Sequence, residues 1–86
     1  MIVTAIKFWA PWCGPCKTLS TVLKDVELEN INIDEDTEGL ATKHKIRSIP
    51  TIVFINQEGE EIQRKTGIIT RDEYYETLKS LEIGGE

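Results

Sequence analysis

Alternating apolar and polar stretches along the chain predict four strands and three helices in the order β-α-β-α-β-β-α. In chain order, the predicted elements cover residues 2–9, 13 to about 25, 27–33, 34–44, 51–55, 61–66 and 70–82. The first segment is nearly continuously apolar, which is typical of a central strand covered on both faces. In the first helix, apolar residues recur at the spacing i, i+3, i+4 and i+7, which places them on one face.

This order of elements indicates an α/β fold. The first three elements form a βαβ unit, whose two strands should be parallel with a right-handed crossover. The last three elements form a hairpin and a covering helix. We therefore expect a four-stranded mixed β-sheet with helices on both faces, in a single domain over residues 1–86.

Capping signals predict where the later helices begin and end. The acidic residues 34–36 should open the second helix. Thr70 is expected to cap the third helix, with Glu73 reaching back to it in a capping box. Residues 83–86 are expected to form a frayed tail.

Composition and charge exclude several classes of protein. A hydrophobic content of 40% argues against disorder, and the formal net charge of −5 disfavours binding to nucleic acid or to an anionic membrane. The chain contains no apolar stretch long enough for a membrane span, and no basic leader precedes its first apolar run. We therefore expect a cytoplasmic protein, in which paired cysteines are seldom structural.

Cys13 and Cys16 form a C-x-x-C pair at the predicted start of the first helix. Unpaired N–H groups and the helix dipole favour an anion there, which should lower the pKa of the Cys13 thiol. Cys16 lies one turn later on the same face, so the two sulfurs can meet. Pro15 suits an early helix position, and Gly14 lets a substrate backbone come close. This arrangement predicts dithiol–disulfide exchange, with Cys13 as nucleophile and Cys16 as the resolving cysteine.

A metal site is the alternative for such a cysteine pair. Structural zinc requires four ligands, but the sequence has two cysteines and one histidine, His44, so we expect no metal. An iron–sulfur cluster would need ligands from a second subunit and is kept as a minor alternative.

Pro50 directly precedes an apolar strand, although a proline cannot donate a hydrogen bond to the strand ladder. Spacing alone favours a trans peptide bond before it, because only about 5–6% of X–Pro bonds in folded proteins are cis.

The sequence resembles the thioredoxin family over essentially its whole length. The matching blocks are Phe8-Trp9-Ala10, Trp12-Cys13-Gly14-Pro15-Cys16-Lys17, Asn32-Ile33-Asp34, Ile46-Arg47-Ser48-Ile49-Pro50-Thr51 and Gly67. The resemblance implies a thioredoxin-like fold, a cis bond before Pro50, and a backbone at Ile49 that pairs with an incoming peptide. The substrate-binding residues that it implies are Trp12, Gly14, Pro15, Ile49, Pro50, Thr66, Gly67 and Ile68.

The chain departs from the family pattern in several places. The strand and helix that usually precede the central strand of thioredoxins are lacking, which leaves the element order of glutaredoxins. Thr21 stands where the family has a kinking proline, and Asn30 replaces a lysine on the second strand. Lys7 stands where the family has a buried Asp.

The Lys7 side chain could adopt one of three states, each with a different effect on the cysteine pair. A protonated Lys7 near Cys16 would stabilise the thiolate and make the disulfide easier to reduce. A desolvated Lys7 would lose its proton and act as a base itself. Alternatively, its side chain would extend to solvent. We favour the first and third outcomes, because full burial of a lone lysine is rare.

The sequence thus predicts a monomeric thioredoxin-type protein-disulfide reductase with no cofactor of its own. Its expected partners are disulfide-containing proteins and a flavin reductase that uses NADPH. The alternatives are a glutaredoxin-like enzyme recharged by glutathione and a non-enzymatic docking module. The intact cysteine pair favours an enzyme. The Trp-Cys-Gly-Pro-Cys motif favours the thioredoxin type, whereas the missing N-terminal elements favour the glutaredoxin type.

Overall fold

A computed structural model describes residues 2–84, in which the predicted elements occur in the predicted order. The strands and helices are β1 (Thr4–Trp9), α1 (Gly14–Val22), β2 (Glu29–Asn32), α2 (Leu40–Lys43), β3 (Thr51–Ile55), β4 (Glu61–Thr66) and α3 (Arg71–Gly84). A short 3₁₀ turn, Ile33–Glu35, lies between β2 and α2. Among residues 2–84, no helix is long and apolar enough to cross a membrane.

The four strands form one mixed sheet in the order β2-β1-β3-β4. β1 is parallel to β2 and antiparallel to β3, and β4 is antiparallel to β3. The predicted four-stranded mixed sheet is therefore confirmed. The register places Lys7 of β1 beside Asn30 of β2 and Ile52 of β3.

The core has two halves because successive side chains of the central strands point to opposite faces of the sheet. On one face, Ala5 and Phe54 pack with residues of α1 and with Tyr74 of α3. On the other face, Phe8 and Val53 pack against residues of α2 and the segments beside it. All five residues of β3 are buried, as expected for a strand covered on both sides.

The first two helices are shorter than their patterns predicted. α1 ends at Val22, where the N–H of Leu23 still bonds to the carbonyl of Leu19 but the helix does not continue. The second helix is interrupted by Gly39, whose φ of +68° is left-handed. The Asp36 carboxylate accepts hydrogen bonds from the first backbone N–H groups of α2, so the acidic run does cap a helix, but a shorter one.

The third helix has its predicted N-cap, but it lacks the second half of the predicted capping box and ends later than predicted. The hydroxyl of Thr70 accepts a hydrogen bond from the N–H of Glu73 at 3.0 Å, as its capping role requires. The Glu73 carboxylate does not complete the predicted box, since it lies 3.4 Å from the ammonium of Lys65 on β4. The helix continues to Gly84, so a frayed tail from residue 83 is wrong, and residues 85–86 lie outside the described part of the chain.

A polar cluster joins β4 to the end of α2. The Glu61 carboxylate accepts hydrogen bonds from the Arg64 guanidinium and lies 3.5 Å from Nδ1 of the buried His44. Arg64 also donates to the backbone carbonyl of His44. The hydrogen bond from Arg64 is the largest of the effects that lower the pKa of Glu61.

This lowered pKa predicts how stability depends on pH. A carboxyl group with a lowered pKa stabilises the fold above its unfolded pKa of 4.5, and that contribution is lost as pH falls through the lower folded pKa. Glu61→Gln should therefore reduce stability at pH 7 and weaken its dependence on pH in the acid range. Urea unfolding at pH 7 and at lower pH would measure both effects, with Glu58→Gln as control. An acid dependence equal to that of the wild type would contradict the prediction.

Candidate active site

The cysteine pair lies where β1 gives way to α1. After β1 the chain turns, and the N–H of Cys13 donates to the carbonyl of Ala10 at 3.1 Å. Cys13 has extended backbone angles and is the N-cap of α1, so the helix begins at Gly14, one residue later than predicted. Pro15 occupies the second helical position, where its missing N–H has no helical partner to lose.

The two cysteines are joined in a disulfide, with their Cα atoms 5.3 Å apart. The N–H of Cys16 donates to Sγ of Cys13 at 3.2 Å, which is the contact that would stabilise a thiolate after reduction. Sγ of Cys13 also lies 3.8 Å from the carbonyl oxygen of Ile49. Both residues are buried, Cys13 at 6% and Cys16 at 1% exposure.

A second wall of the site comes from the start of β3. The Ile49–Pro50 peptide bond is cis, as the family resemblance implied. The carbonyl of Pro50 accepts a hydrogen bond from the N–H of Gly67 at 2.8 Å, which holds the end of β4 against this wall. Gly67 has a φ of +86°, a conformation that favours glycine. Thr66 pairs with Thr51 at the same end of the sheet.

Two apolar side chains remain exposed next to buried neighbours. Trp12 is 67% exposed and Ile68 is 51% exposed. The indole N–H of Trp12 donates to the Asp34 carboxylate at 2.9 Å. Trp12 and Ile49 also line a shallow cleft together with residues of α2 and the loop after it. Sequence reasoning assigned Asp34 only to helix capping and missed its contact with Trp12, although Asp34 belongs to one of the matching family blocks.

Lys7 lies on β1 with 5% exposure, so its side chain does not extend freely into solvent. Its ammonium donates to the Ser20 hydroxyl at 2.7 Å, and burial lowers the pKa of Lys7. Ser20 follows Cys16 by one turn of α1, so the ammonium is bonded to a residue on the same face of the helix as Cys16. Sequence reasoning missed Ser20; its i, i+4 spacing from Cys16 was the available signal.

Within residues 2–84, no group of three or more His, Cys, Asp or Glu side chains converges to hold a metal ion. The site consists of the cysteine pair, the helix start beneath it and the apolar wall at Ile49. Such a site can exchange disulfides through its own sulfur atoms.

Comparisons with known sequences agree on one family. A family model described as Thioredoxin matches residues 2–80. Thioredoxins of Bacillus subtilis and Mycoplasmoides gallisepticum are 34% and 33% identical, in alignments that cover 88% and 86% of this chain and 79% of each relative. The chloroplastic M-type thioredoxin of Spinacia oleracea is 34% identical over 86% of this chain, which spans 44% of that longer protein.

Solved structures give the same result. A mutant thioredoxin from Halobacterium salinarum is 28% identical with a TM-score of 0.78, and the match covers 91% of this chain and 73% of that one. The thioredoxin of Malassezia sympodialis is also 28% identical, with a TM-score of 0.77 and the same coverage. With the family model matching nearly the whole chain and the paired cysteines at the start of α1, this protein belongs to the thioredoxin family and is a thiol–disulfide oxidoreductase.

Proposed function

We propose that the protein reduces disulfide bonds in other proteins, with Cys13 as the attacking and Cys16 as the resolving cysteine. The observation that carries this assignment is the position of Cys13 as the N-cap of α1, where its sulfur accepts the N–H of Cys16. That N–H and the helix dipole favour the thiolate at Cys13, whereas Cys16 is covered by its own helix.

The proposed reaction proceeds in two exchanges. The Cys13 thiolate attacks one sulfur of the substrate disulfide, and the other substrate sulfur leaves as a thiolate that takes up a proton. The Cys16 thiol then loses its proton and attacks Sγ of Cys13. The second substrate sulfur leaves, so the substrate gains two electrons and a Cys13–Cys16 disulfide forms. The 5.3 Å between the two Cα atoms suits this bond.

We propose that substrate backbone docks along the wall next to Cys13. The carbonyl of Ile49 lies close to Sγ of Cys13, so a peptide paired there as an added strand would bring its own disulfide next to the attacking sulfur. The other proposed contacts are Trp12, Gly14, Pro15, Pro50, Thr66, Gly67 and Ile68. A Cβ built on Gly14 meets nothing within 4 Å, which leaves space for a partner above the helix start.

We propose that Lys7 lowers the pKa of the cysteine thiols. A protonated ammonium near the covered side of Cys16 stabilises a thiolate through space. Its hydrogen bond to Ser20, a residue one helical turn after that cysteine, supports this role.

Lys7→Met should therefore raise the pKa of the cysteine thiols, by about one unit. It should also make the redox potential more negative, because the reduced form loses stabilisation. Thiolate absorbance against pH, compared with the wild type, measures the first effect and equilibration with glutathione the second. Lys79→Met removes the same charge from an exposed position on α3 and serves as control. Unchanged titration curves in Lys7→Met would rule out this role.

We further propose that a flavin reductase using NADPH recharges the protein. The Trp-Cys-Gly-Pro-Cys motif supports this reductase over glutathione. Insulin reduction should proceed with NADPH and thioredoxin reductase, and should fail when glutathione and glutathione reductase replace them. Turnover with glutathione would favour the glutaredoxin-like alternative, and turnover with neither system would favour a docking module.

The remaining proposals concern the setting of the reaction. We propose that the protein acts in the cytoplasm as a monomer, with residues 1–86 as one domain. One continuous sheet that is covered on both faces supports the single domain. Sedimentation analysis of the reduced protein would test the monomer, and a concentration-dependent dimer would contradict it.

A further inference from the structure

A second concave site lies beside β1, β2 and the end of α1. It is separate from the apolar wall at Ile49, where the substrate is proposed to dock. The cleft has a volume of about 430 Å³. Its polar lining consists of Lys7, Ser20, Lys24 and Asn30. The rest of the lining is apolar, from residues such as Leu23.

The charged side chains that line the cleft are both lysines, in an acidic chain. The formal net charge of the protein is −5, yet two lysines and no carboxylate are found among the described residues that line the cleft. Lys24 is exposed at its edge, while Lys7 is 5% exposed at its base. The two lysines favour an anionic ligand over a cationic one.

The Lys7 ammonium lacks a charged partner within residues 2–84. Its hydrogen bond to the Ser20 hydroxyl uses one of its three donors, and no ion pair in the described part of the chain includes it. Burial is the effect that lowers its pKa. A buried cation without a counter-charge is costly, and an anion placed against it would offset part of that cost.

Apolar side chains form the other part of the cleft lining. Leu23, Val26 and Leu28 line the same cleft, together with the partly buried Trp9. Such side chains contribute to binding only when a ligand has an apolar part to bury. An inorganic anion would pair with the ammonium but leave these apolar side chains exposed to water. A neutral apolar molecule would cover these side chains but leave the ammonium without a counter-charge.

We propose that this cleft binds a small organic anion, with a carboxylate on the Lys7 ammonium and a short aliphatic chain against Leu23 and Val26. Lys24 reaches the same carboxylate from the edge, and the Ser20 hydroxyl is a further donor within reach. The proposal shares Lys7 with the proposed tuning of the cysteine pair, but it does not depend on that role, because binding is tested on the oxidised protein, in which the two cysteines are joined. Its failure would leave the exchange reaction of the cysteine pair unaffected.

An NMR titration of the oxidised full chain tests the proposal with hexanoate as the probe. Hexanoate should shift the signals of Ser20, Leu23 and the Trp9 indole in a saturable manner. Hexanamide, its neutral analogue, and inorganic phosphate should each bind at least about tenfold more weakly. Hexanamide lacks the negative charge that pairs with Lys7, and phosphate lacks the aliphatic chain that packs against Leu23 and Val26. Equal binding of hexanamide or of phosphate, or no saturable shift with hexanoate, would overturn the proposal.

Matched variants identify the cation. Lys7→Met should weaken hexanoate binding at least about tenfold, and Lys24→Met by a smaller factor. Lys79→Met, which removes a charge from an exposed position on α3, should bind hexanoate as the wild type does. Undiminished binding in a folded Lys7→Met variant would overturn the proposal. If that variant does not fold, the comparison of hexanoate with hexanamide on the wild type decides alone.

Discussion

Cys13→Ser should abolish insulin reduction, whereas Cys16→Ser should accumulate a mixed disulfide between Cys13 and the substrate. The first variant removes the sulfur that attacks, so neither exchange can begin. The second keeps the attacking sulfur at the N-cap of α1 but lacks the group that releases the product. Insulin turbidity measures the loss of turnover, and intact mass of the unreduced reaction mixture detects the adduct.

The order of alkylation provides an independent check on these roles. In the reduced native protein, a small alkylating reagent should label Cys13 before Cys16, since Cys16 is 1% exposed and Cys13 is the one at the helix start. Lys79→Met, with both cysteines intact, should reduce insulin as the wild type does. Earlier labelling of Cys16, or an adduct that forms through Cys16 in Cys13→Ser, would reverse the assignment.

Phe54→Ala should produce the largest loss of stability. Phe54 is fully buried on the central strand β3, and its ring lies 5.8 Å from that of Tyr74 on α3. Truncation removes apolar contacts between the sheet and α3 and leaves a cavity that neighbours fill only partly. The expected cost is about 3–5 kcal/mol. This is a large share of the stability of a small domain, which is typically about 5–15 kcal/mol.

Urea unfolding of the oxidised protein measures this loss. Phe54→Leu is the matched control, because it keeps most of the apolar volume and should cost about 1.5 kcal/mol or less. A loss below about 1 kcal/mol in Phe54→Ala would mean that the contact between the sheet and α3 contributes little to stability.

Local sequence pattern predicted the existence and order of the elements but not all of their ends. The continuous apolar run of β3 is correctly assigned to a strand, because its five residues are buried on both faces. Helical spacing predicted α1 but extended it past Val22. The ends of α1 and α2 depend on backbone turns after Leu23 and at Gly39, where apolar periodicity carries no information.

The chain position of the cysteine pair is a local property that the sequence determined by itself. A strand, a short turn and a helix start lie within a few residues of one another, so the N-cap location of Cys13 follows from neighbours in the chain. Pro15 and the spacing of the two cysteines belong to the same short segment. Sequence resemblance also identified the block around Pro50.

Only the tertiary structure decided which distant groups meet at the site. Ile49 contacts the sulfur of Cys13 across 36 positions, Trp12 reaches Asp34 across 22, and Lys7 reaches Ser20 across 13. Each contact depends on the register of β1 with its neighbours and on how α1 packs over the sheet. Those arrangements are set by burial of the two core halves, which sums over many residues and is not encoded in any one segment.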